Sequence, residues 1–197
     1  MKFLVVGSTG LIGSYVAKTL SKHGTVIGVS RTTQISVDVK DPNSIKAMYE
    51  KVGKVDAVAS CIGKVAFKPI AELTYEDYLM GLKDKALGQV ELVRAGINFL
   101  NDGGSFTLMT GVLARDPIPA GSVAALANGA IESFTLAAAI DLPRAIRINT
   151  VSPNVLVEAT SYHASFPGFH QVTAQSVADA YVKSILGKQT GQIYKLD

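Results

Sequence analysis

A glycine-rich turn lies near the start of the chain, between an apolar run at Lys2–Val6 and a segment, Gly10–Lys22, whose apolar residues recur at helical spacing. The turn reads Gly7-Ser8-Thr9-Gly10-Leu11-Ile12-Gly13, a G-x-x-G-x-x-G spacing. Glycine permits a tight turn and a close backbone approach to a pyrophosphate, which the free N–H groups and the dipole of the following helix then bind. The alternative is a strand-to-helix turn that merely favours glycine. The position of the glycine turn, between a predicted strand and a predicted helix, favours a dinucleotide site over this alternative.

The rest of the chain alternates short apolar runs with helical patterns. Further strands are predicted at Thr25–Val29, Ser36–Val39, Asp56–Ile62, Ser105–Thr110, Arg147–Val151 and Gln192–Leu196, and helices at Pro42–Val52, 74–82, 84–100, 121–141 and Ser176–Leu186. Such alternation is typical of βαβ units. It predicts an α/β fold with a doubly wound parallel sheet (a Rossmann fold) of about seven strands and helices on both faces. No linker or repeat interrupts the pattern, so residues 1–197 are expected to form a single domain.

Composition excludes several classes of protein. Hydrophobic residues make up 48% and charged residues 18% of the chain, which argues against disorder. The net charge is only +3 with scattered Lys and Arg, so no nucleic-acid partner is predicted. No apolar run approaches the roughly 18–20 residues of a membrane span. Cys61 is the single cysteine, which excludes an internal disulfide, and we expect a cytoplasmic protein with no membrane partner. No His, Cys or carboxylate cluster has metal-ligand spacing, so no metal site is predicted.

The residues after the second strand indicate which dinucleotide would bind. An acidic residue about 20 residues beyond the glycine turn would bind the ribose 2′-hydroxyl of NAD. Here the chain reads Val29-Ser30-Arg31-Thr32, with no carboxylate. Arg31 can pair bidentately with a 2′-phosphate, and Ser30 and Thr32 can donate hydrogen bonds. The sequence therefore predicts NADP(H), the alternative being that Arg31 is a solvated loop residue.

Four further segments match one known family. Asp38-Val39 matches a pair that flanks the adenine, and Ser60-Cys61-Ile62-Gly63 stands where Asn-Asn-Ala-Gly is usual. Ile148–Asn154 matches a segment ending in Pro-Gly near the nicotinamide, with Asn154 in place of the glycine, and Thr190-Gly191-Gln192 matches the start of the last strand. With these motifs the chain resembles the short-chain dehydrogenase/reductase family nearly end to end. The resemblance implies cofactor contacts from Asp38, Val39, Cys61, Ile62, Gly63, Pro153 and Asn154.

The catalytic positions depart from the family pattern. The family uses a Ser and then Tyr-x-x-x-Lys on the helix after the fifth strand; those two places fall on Ala124 and Asn128. Neither Tyr nor Lys occurs in residues 101–161, so no shift of alignment restores the pair. The Ser position falls near Thr110, whose hydroxyl can polarise a carbonyl.

Other residues are candidates for the missing chemistry. The resemblance places Lys85 where the family often has an Asn. There it could bind the nicotinamide ribose, stabilise an alkoxide or donate a proton, the alternative being a solvated face shared with Lys83 and Asp84. The loop 155–170 stands where the family has its substrate lid; it holds Tyr162, His163 and His170, which either deliver a proton or only shape the lid. Cys61 is interpreted as a packing residue.

Together these residues and the resemblance imply an NADP(H)-dependent oxidoreductase that transfers hydride between the nicotinamide and a small carbonyl or alcohol substrate. The loss of the Tyr and Lys leaves open a non-catalytic NADP(H)-binding sensor. In the family, the helices matching 84–100 and 121–141 form a bundle between subunits, so the resemblance also implies a homodimer or homotetramer.

Overall fold

Six parallel strands form one sheet in the order β2-β1-β3-β4-β5-β6 in the computed structural model, which describes residues 1–197. The strands are β1 (Lys2–Val6), β2 (Thr25–Val29), β3 (Val55–Ser60), β4 (Leu100–Met109), β5 (Arg147–Pro153) and β6 (Ile193–Leu196). Each contains an apolar run that the sequence predicts as a strand, and β4 begins five residues earlier than predicted, at Leu100. The parallel sheet with helices on both faces confirms the predicted fold class.

The predicted strand Ser36–Val39 is wrong, and the sheet has six strands rather than about seven. This segment makes only an isolated bridge between Ser30 and Ser36, with Val37 N donating to Ser30 O at 3.0 Å. The next residues turn at once, because Asp38 Oδ1 accepts from Lys40 N and Asp38 N donates to Ser44 Oγ. The chain is therefore directed into the following helix before a ladder can form.

Helices cover both faces of the sheet. They are α1 (Leu11–Leu20), α2 (Pro42–Val52), α3 (Tyr75–Gly81), α4 (Gly88–Gly96), α5 (Ser122–Asp141) and α6 (Ala174–Leu186). Asp41 caps α2, its side chain accepting from Asn43 N at 2.9 Å, with Pro42 in the first turn. The two helices predicted at 74–82 and 84–100 run on as one, because a π-helical segment, Leu82–Leu87, joins α3 to α4. Such segments are frequent at functional sites.

Alternate residues of β1 point into two hydrophobic cores. Phe3 and Val5 pack with α1 and α6 on one face, and Leu4 and Val6 pack with α2, α4 and α5 on the other. The chain runs from β1 to β2 on one side and then returns to β3 on the other. The point at which the strand order reverses therefore lies between β1 and β3, where doubly wound sheets bind ligands beyond the strands' carboxyl ends.

Contrary to the expectation that no apolar run approaches the length of a membrane span, helix α5 is 20 residues long and has a stretch with a mean hydropathy of 1.5, so by length and composition alone it could cross a membrane. The core helix of an α/β domain has the same character. Its residues Val123, Ala127 and Ile131 are fully buried inside this fold, which is how such a helix contributes to a domain core.

Candidate functional site

The glycine turn forms a tight cradle between β1 and α1. Gly7 has a φ of +85°, and a Cβ there would lie 2.6 Å from Cys61 O. A Cβ on Gly13 would lie 2.0 Å from Gly7 O, so only glycine permits this packing of α1 on the turn. No side chain caps α1 at its N-cap, Gly10. Its first N–H groups are thus available to an anion beyond β1.

The cradle gives a first prediction. Gly13→Ala forces the turn and α1 apart, and we expect it to weaken NADPH binding about tenfold or more and to reduce the free energy of unfolding by about 1–3 kcal/mol. Calorimetric titration and denaturant unfolding measure the two effects. Gly129→Ala is the matched control, because nothing lies within 4 Å of a Cβ at that helical position. Equal NADPH affinity in native protein and Gly13→Ala would contradict this interpretation of the turn.

A turn of hydroxyl groups follows β2. Thr32 N donates to Ser30 Oγ at 3.2 Å, and Ser30 N donates to Thr33 Oγ1 at 2.7 Å. These bonds shape the loop that presents Arg31. The Arg31 side chain is exposed and belongs to none of the chain's ion pairs. It is therefore free to pair with an anionic group.

The cradle and this turn enclose a cavity of about 280 Å³ beyond β1 and β2. Predicted cofactor residues line it: Gly7, Thr9, Gly10, Ser30, Arg31, Thr32, Asp38, Val39, Cys61, Ile62 and Gly63. Lys40 and Lys64 also line it. Sequence reasoning missed both, although Lys40 directly follows the Asp38-Val39 pair.

A second cavity of about 370 Å³ lies beyond β3, β4 and β5. It shares Cys61, Ile62, Gly63 and Lys64 with the first, so the two form adjoining parts of one cleft. Its walls are mostly apolar, and its predicted site residues are Ile12, Cys61, Ile62, Gly63, Lys85, Thr110, Pro153 and Asn154. Of the predicted site residues only Ser8, Leu11 and Gly13 line neither cavity.

Asn128 lines the second cavity and carries a buried acceptor without a partner. Its Nδ2 donates to Gly111 O at 3.2 Å, whereas its buried Oδ1 has no hydrogen-bond partner. Such an atom is costly unless a ligand or water supplies a donor. Ala124, one turn earlier, lines the same cavity and leaves space where the family pattern has a Tyr.

Lys85 lies in the π-helical segment and lines the second cavity. Its stem lies against Gly63, where a Cβ would come within 2.6 Å of the Lys85 Cγ. Burial lowers the pKa of Lys85 to about 8, and the neighbouring Asp84 carboxylate opposes that shift. None of the chain's ion pairs includes Lys85. The side chain is half-buried, lies against Gly63 and lines the cavity, which favours the cavity position over a solvated face.

Thr110 lies at the end of β4 and is buried on the cavity floor. Its hydroxyl donates to Glu132 Oε1 at 2.9 Å, and Ser152 Oγ donates to the same oxygen at 2.9 Å. Sequence reasoning did not find Glu132, because the contact depends on how α5 packs over β4 and β5.

Cys61 and the lid residues complete the cleft. Burial raises the pKa of the Cys61 thiol to about 12, which keeps it protonated and unreactive, as its interpretation as a packing residue requires. In the lid, Tyr162 lines the second cavity beside Phe67, with ring centroids 6.1 Å apart. His163 Nε2 bonds instead with Leu156 O at 2.9 Å, and His170 is exposed and lines neither cavity. Only Tyr162 of the three faces the site.

The chain matches, over residues 10–191, the family model described as enoyl-(acyl carrier protein) reductase. Among similar proteins, an uncharacterised oxidoreductase of Methylorubrum extorquens is 25% identical over 190 residues, which cover 84% of this chain and 77% of that protein. The short chain dehydrogenase/reductase AacuN of Aspergillus aculeatus is 29% identical in an alignment 202 positions long that covers 87% of this chain and 76% of that protein.

Solved structures are similar over the full length of the chain. The protein lin1944 of Listeria innocua is 48% identical, covers 100% of both chains and superposes with a TM-score of 0.98. A small-chain dehydrogenase in complex with NADPH is 27% identical, with 100% and 96% of the two chains covered and a TM-score of 0.89.

Proposed function

Because the chain belongs to the short-chain dehydrogenase/reductase family, we propose that it is an NADP(H)-dependent oxidoreductase that transfers hydride between the nicotinamide and a small carbonyl or alcohol. The observation that carries the proposal is the two-part cleft beyond the carboxyl ends of the strands. Arg31 stands at one end, and Lys85 and Thr110 stand at the other. A similar protein whose structure is described as a complex with NADPH supports the choice of cofactor.

The residues of the cleft fit this cofactor group by group. The cradle of Gly7 and Gly13 and the uncapped start of α1 would hold the diphosphate. Arg31 would bind the 2′-phosphate, with Lys40 adding a second positive charge. Asn128, which lines the second cavity where the family pattern has a Lys, would lie beside the nicotinamide ribose. When bound, the cofactor supplies or accepts the hydride.

The second cavity would hold the substrate. Its apolar walls suit a small apolar carbonyl compound, which a few polar groups would orient. Thr110 and Lys85 are those groups. The Lys85 ammonium would stabilise the negative charge that develops on the carbonyl oxygen, an effect strengthened by the apolar surroundings. Thr110 would bond the same oxygen.

A second candidate function is a non-catalytic sensor of NADP(H). The observation that favours it is that Ala124 and Asn128 occupy the places of the Tyr and Lys within the cavity. Both functions include NADPH binding, so turnover separates them. We expect NADPH oxidation with at least one member of a broad carbonyl panel, and its loss in Lys85→Ala with NADPH binding retained. NADPH binding without turnover of any carbonyl would favour the sensor.

The outer face of α5 gives a prediction about assembly. Leu126, Leu136 and Ile140 are exposed on it, Ile140 with 92% of its surface. The family resemblance implies that this helix meets a second copy of the chain. We expect Ile140→Glu to convert a dimer or tetramer into monomer in light-scattering chromatography. Leu186→Glu, at an exposed site on α6, is the control and should leave the assembly unchanged. A monomeric native protein would contradict the proposal.

A further inference from the structure

Glu132 lies on the far side of Thr110 from the cavity. One oxygen of its carboxylate, Oε1, accepts from two hydroxyls: Thr110 Oγ1 and Ser152 Oγ, each at 2.9 Å. The other oxygen has no hydrogen-bond partner in the chain and is not sealed from water. The carboxyl group thus connects a hydroxyl on the cavity floor with the solvent.

Arg115 determines which way the Ser152 hydroxyl points. Its Nη1 donates to Ser152 Oγ at 2.8 Å and its Nη2 donates to Ser152 O at 3.3 Å. A guanidinium in a protein stays protonated and is always a donor. Ser152 must therefore accept from Arg115 and direct its single proton to Glu132. That contact stays the same in either protonation state of Glu132.

The Thr110 hydroxyl, in contrast, can reverse. While Glu132 is ionised, Thr110 donates to it and presents only oxygen lone pairs to the cavity. When Glu132 is protonated, it can donate to Thr110, whose own proton then faces the cavity. The charge of Glu132 thus decides whether the hydroxyl on the cavity floor accepts or donates.

We propose that Glu132 is the proton reservoir of the reaction and acts through the Thr110 hydroxyl. The inference rests on the proposed function. In carbonyl reduction, the oxygen that becomes negative as its carbon gains hydride takes the Thr110 proton. The Thr110 oxygen then takes the proton of the Glu132 carboxyl group. The Glu132 carboxylate is reprotonated from solvent at Oε2, and rotation of the carboxyl group brings that proton to the Thr110 oxygen for the next turnover. In alcohol oxidation both transfers run in the opposite direction, and Glu132 receives the proton.

The direction of proton transfer sets the pH dependence, and two cationic groups lie near the relay. Arg115 bonds the Ser152 hydroxyl that donates to Glu132, and Arg115 is itself paired with Asp197. Lys85 lines the same cavity as Thr110. Reduction needs a proton on Glu132, so its rate should rise as the pH falls. Oxidation needs the ionised form and should show the opposite slope. Loss of the ammonium of Lys85 affects only the alkaline side.

The test compares kinetics across pH for native protein, Glu132→Gln, Thr110→Val and Thr110→Ser. Glutamine keeps the shape of Glu132 but carries no transferable proton. We expect Glu132→Gln to lower kcat about ten- to hundredfold and to abolish the rise in rate at low pH, which we call the acid limb. The loss of rate above about pH 8, where Lys85 loses its proton, should remain. Thr110→Val should lose as much, Thr110→Ser should recover most of it, and the double variant Glu132→Gln/Thr110→Val should be no worse than either single one. Asp141→Asn changes the other carboxylate of α5 and is the control.

A second readout needs no cofactor or substrate. In protein labelled with 13C at the glutamate carboxyl carbon, the Glu132 signal is identified by its loss in Glu132→Gln. It should shift in Thr110→Val and return close to its native position in Thr110→Ser. An unmoved signal would mean that the contact does not exist, and would overturn the proposal.

The kinetic outcomes separate the two claims. An active native enzyme whose Glu132→Gln variant loses only thermal stability, with its acid limb intact, would make Glu132 a structural tie between α5 and β5. That result overturns the relay and leaves the proposed function standing. A native protein that binds NADPH but reduces no carbonyl overturns both.

Discussion

Replacing Lys85 with methionine is expected to lower the kcat of carbonyl reduction about 10²- to 10⁴-fold, the range for losing a positioned catalytic group. Methionine keeps the apolar stem that lies against Gly63 and removes only the charge. NADPH binding should be retained, because the diphosphate and 2′-phosphate contacts belong to other residues. Steady-state kinetics and calorimetric titration of the same preparation measure the two effects.

The pH dependence of this effect has a defined sign. Burial holds the pKa of Lys85 at about 8, so the side chain is an ammonium below that pH and neutral above it. Reduction that depends on the ammonium should lose about tenfold in rate per pH unit above about 8. Lys85→Met should show no such limb. Bound NADPH brings negative charge, which favours the ammonium and moves the limb to higher pH.

Lys83→Met is the matched control, since Lys83 is exposed two residues away and lines neither cavity. It should match the native enzyme at every pH. If Lys85→Met kept native turnover, or lost NADPH binding in proportion to turnover, the assignment of Lys85 to the reacting oxygen would be wrong.

Arg31→Ala is expected to weaken NADPH binding about ten- to hundredfold and to leave NADH binding nearly unchanged. The loss corresponds to ~1.5–3 kcal/mol for hydrogen bonds between charged groups. NADH lacks the 2′-phosphate, so the difference between the two cofactors isolates that contact. Titration of both cofactors into native and variant protein gives all four affinities, and raised salt should weaken NADPH binding more than NADH binding.

Two variants sharpen this test. Arg31→Lys keeps the charge but loses bidentate geometry, and should fall between native and Arg31→Ala. Lys40→Ala should have a smaller effect of the same sign, because Lys40 lines the same cavity. Equal affinities of native protein for NADPH and NADH would contradict the assignment of Arg31.

The part of the fold determined by local sequence signals could be predicted. The glycine turn and the apolar runs predicted β1, α1 and a doubly wound parallel sheet, because tight turns and buried strands need those residue types nearby. Ser36–Val39 could not be judged in this way. It has the composition of a strand, but Asp38 and Ser44 form hydrogen bonds that direct the chain into α2. Competition of this kind between a short strand and a turn appears only in three dimensions.

The candidate site likewise has residues that the sequence predicted and residues that only the packing of the fold reveals. Lys85 could be placed from the family pattern, but its unpaired ammonium and lowered pKa follow from the π-helical segment and from contact with Gly63. Glu132 carried no signal in the sequence. It lies within an Ala-rich helix, and only the packing of α5 against β4 and β5 brings it to Thr110 and Ser152.

The central claim is hydride transfer from NADPH to a carbonyl carbon. Its most direct test supplies NADPH with deuterium in both hydrogen positions of the nicotinamide C4 and measures product alcohols from a carbonyl panel by mass spectrometry. We predict at least one alcohol with a single carbon-bound deuterium, formed by the native protein and strongly reduced in Lys85→Met. Tight NADPH binding with no deuterium in any alcohol would contradict the claim.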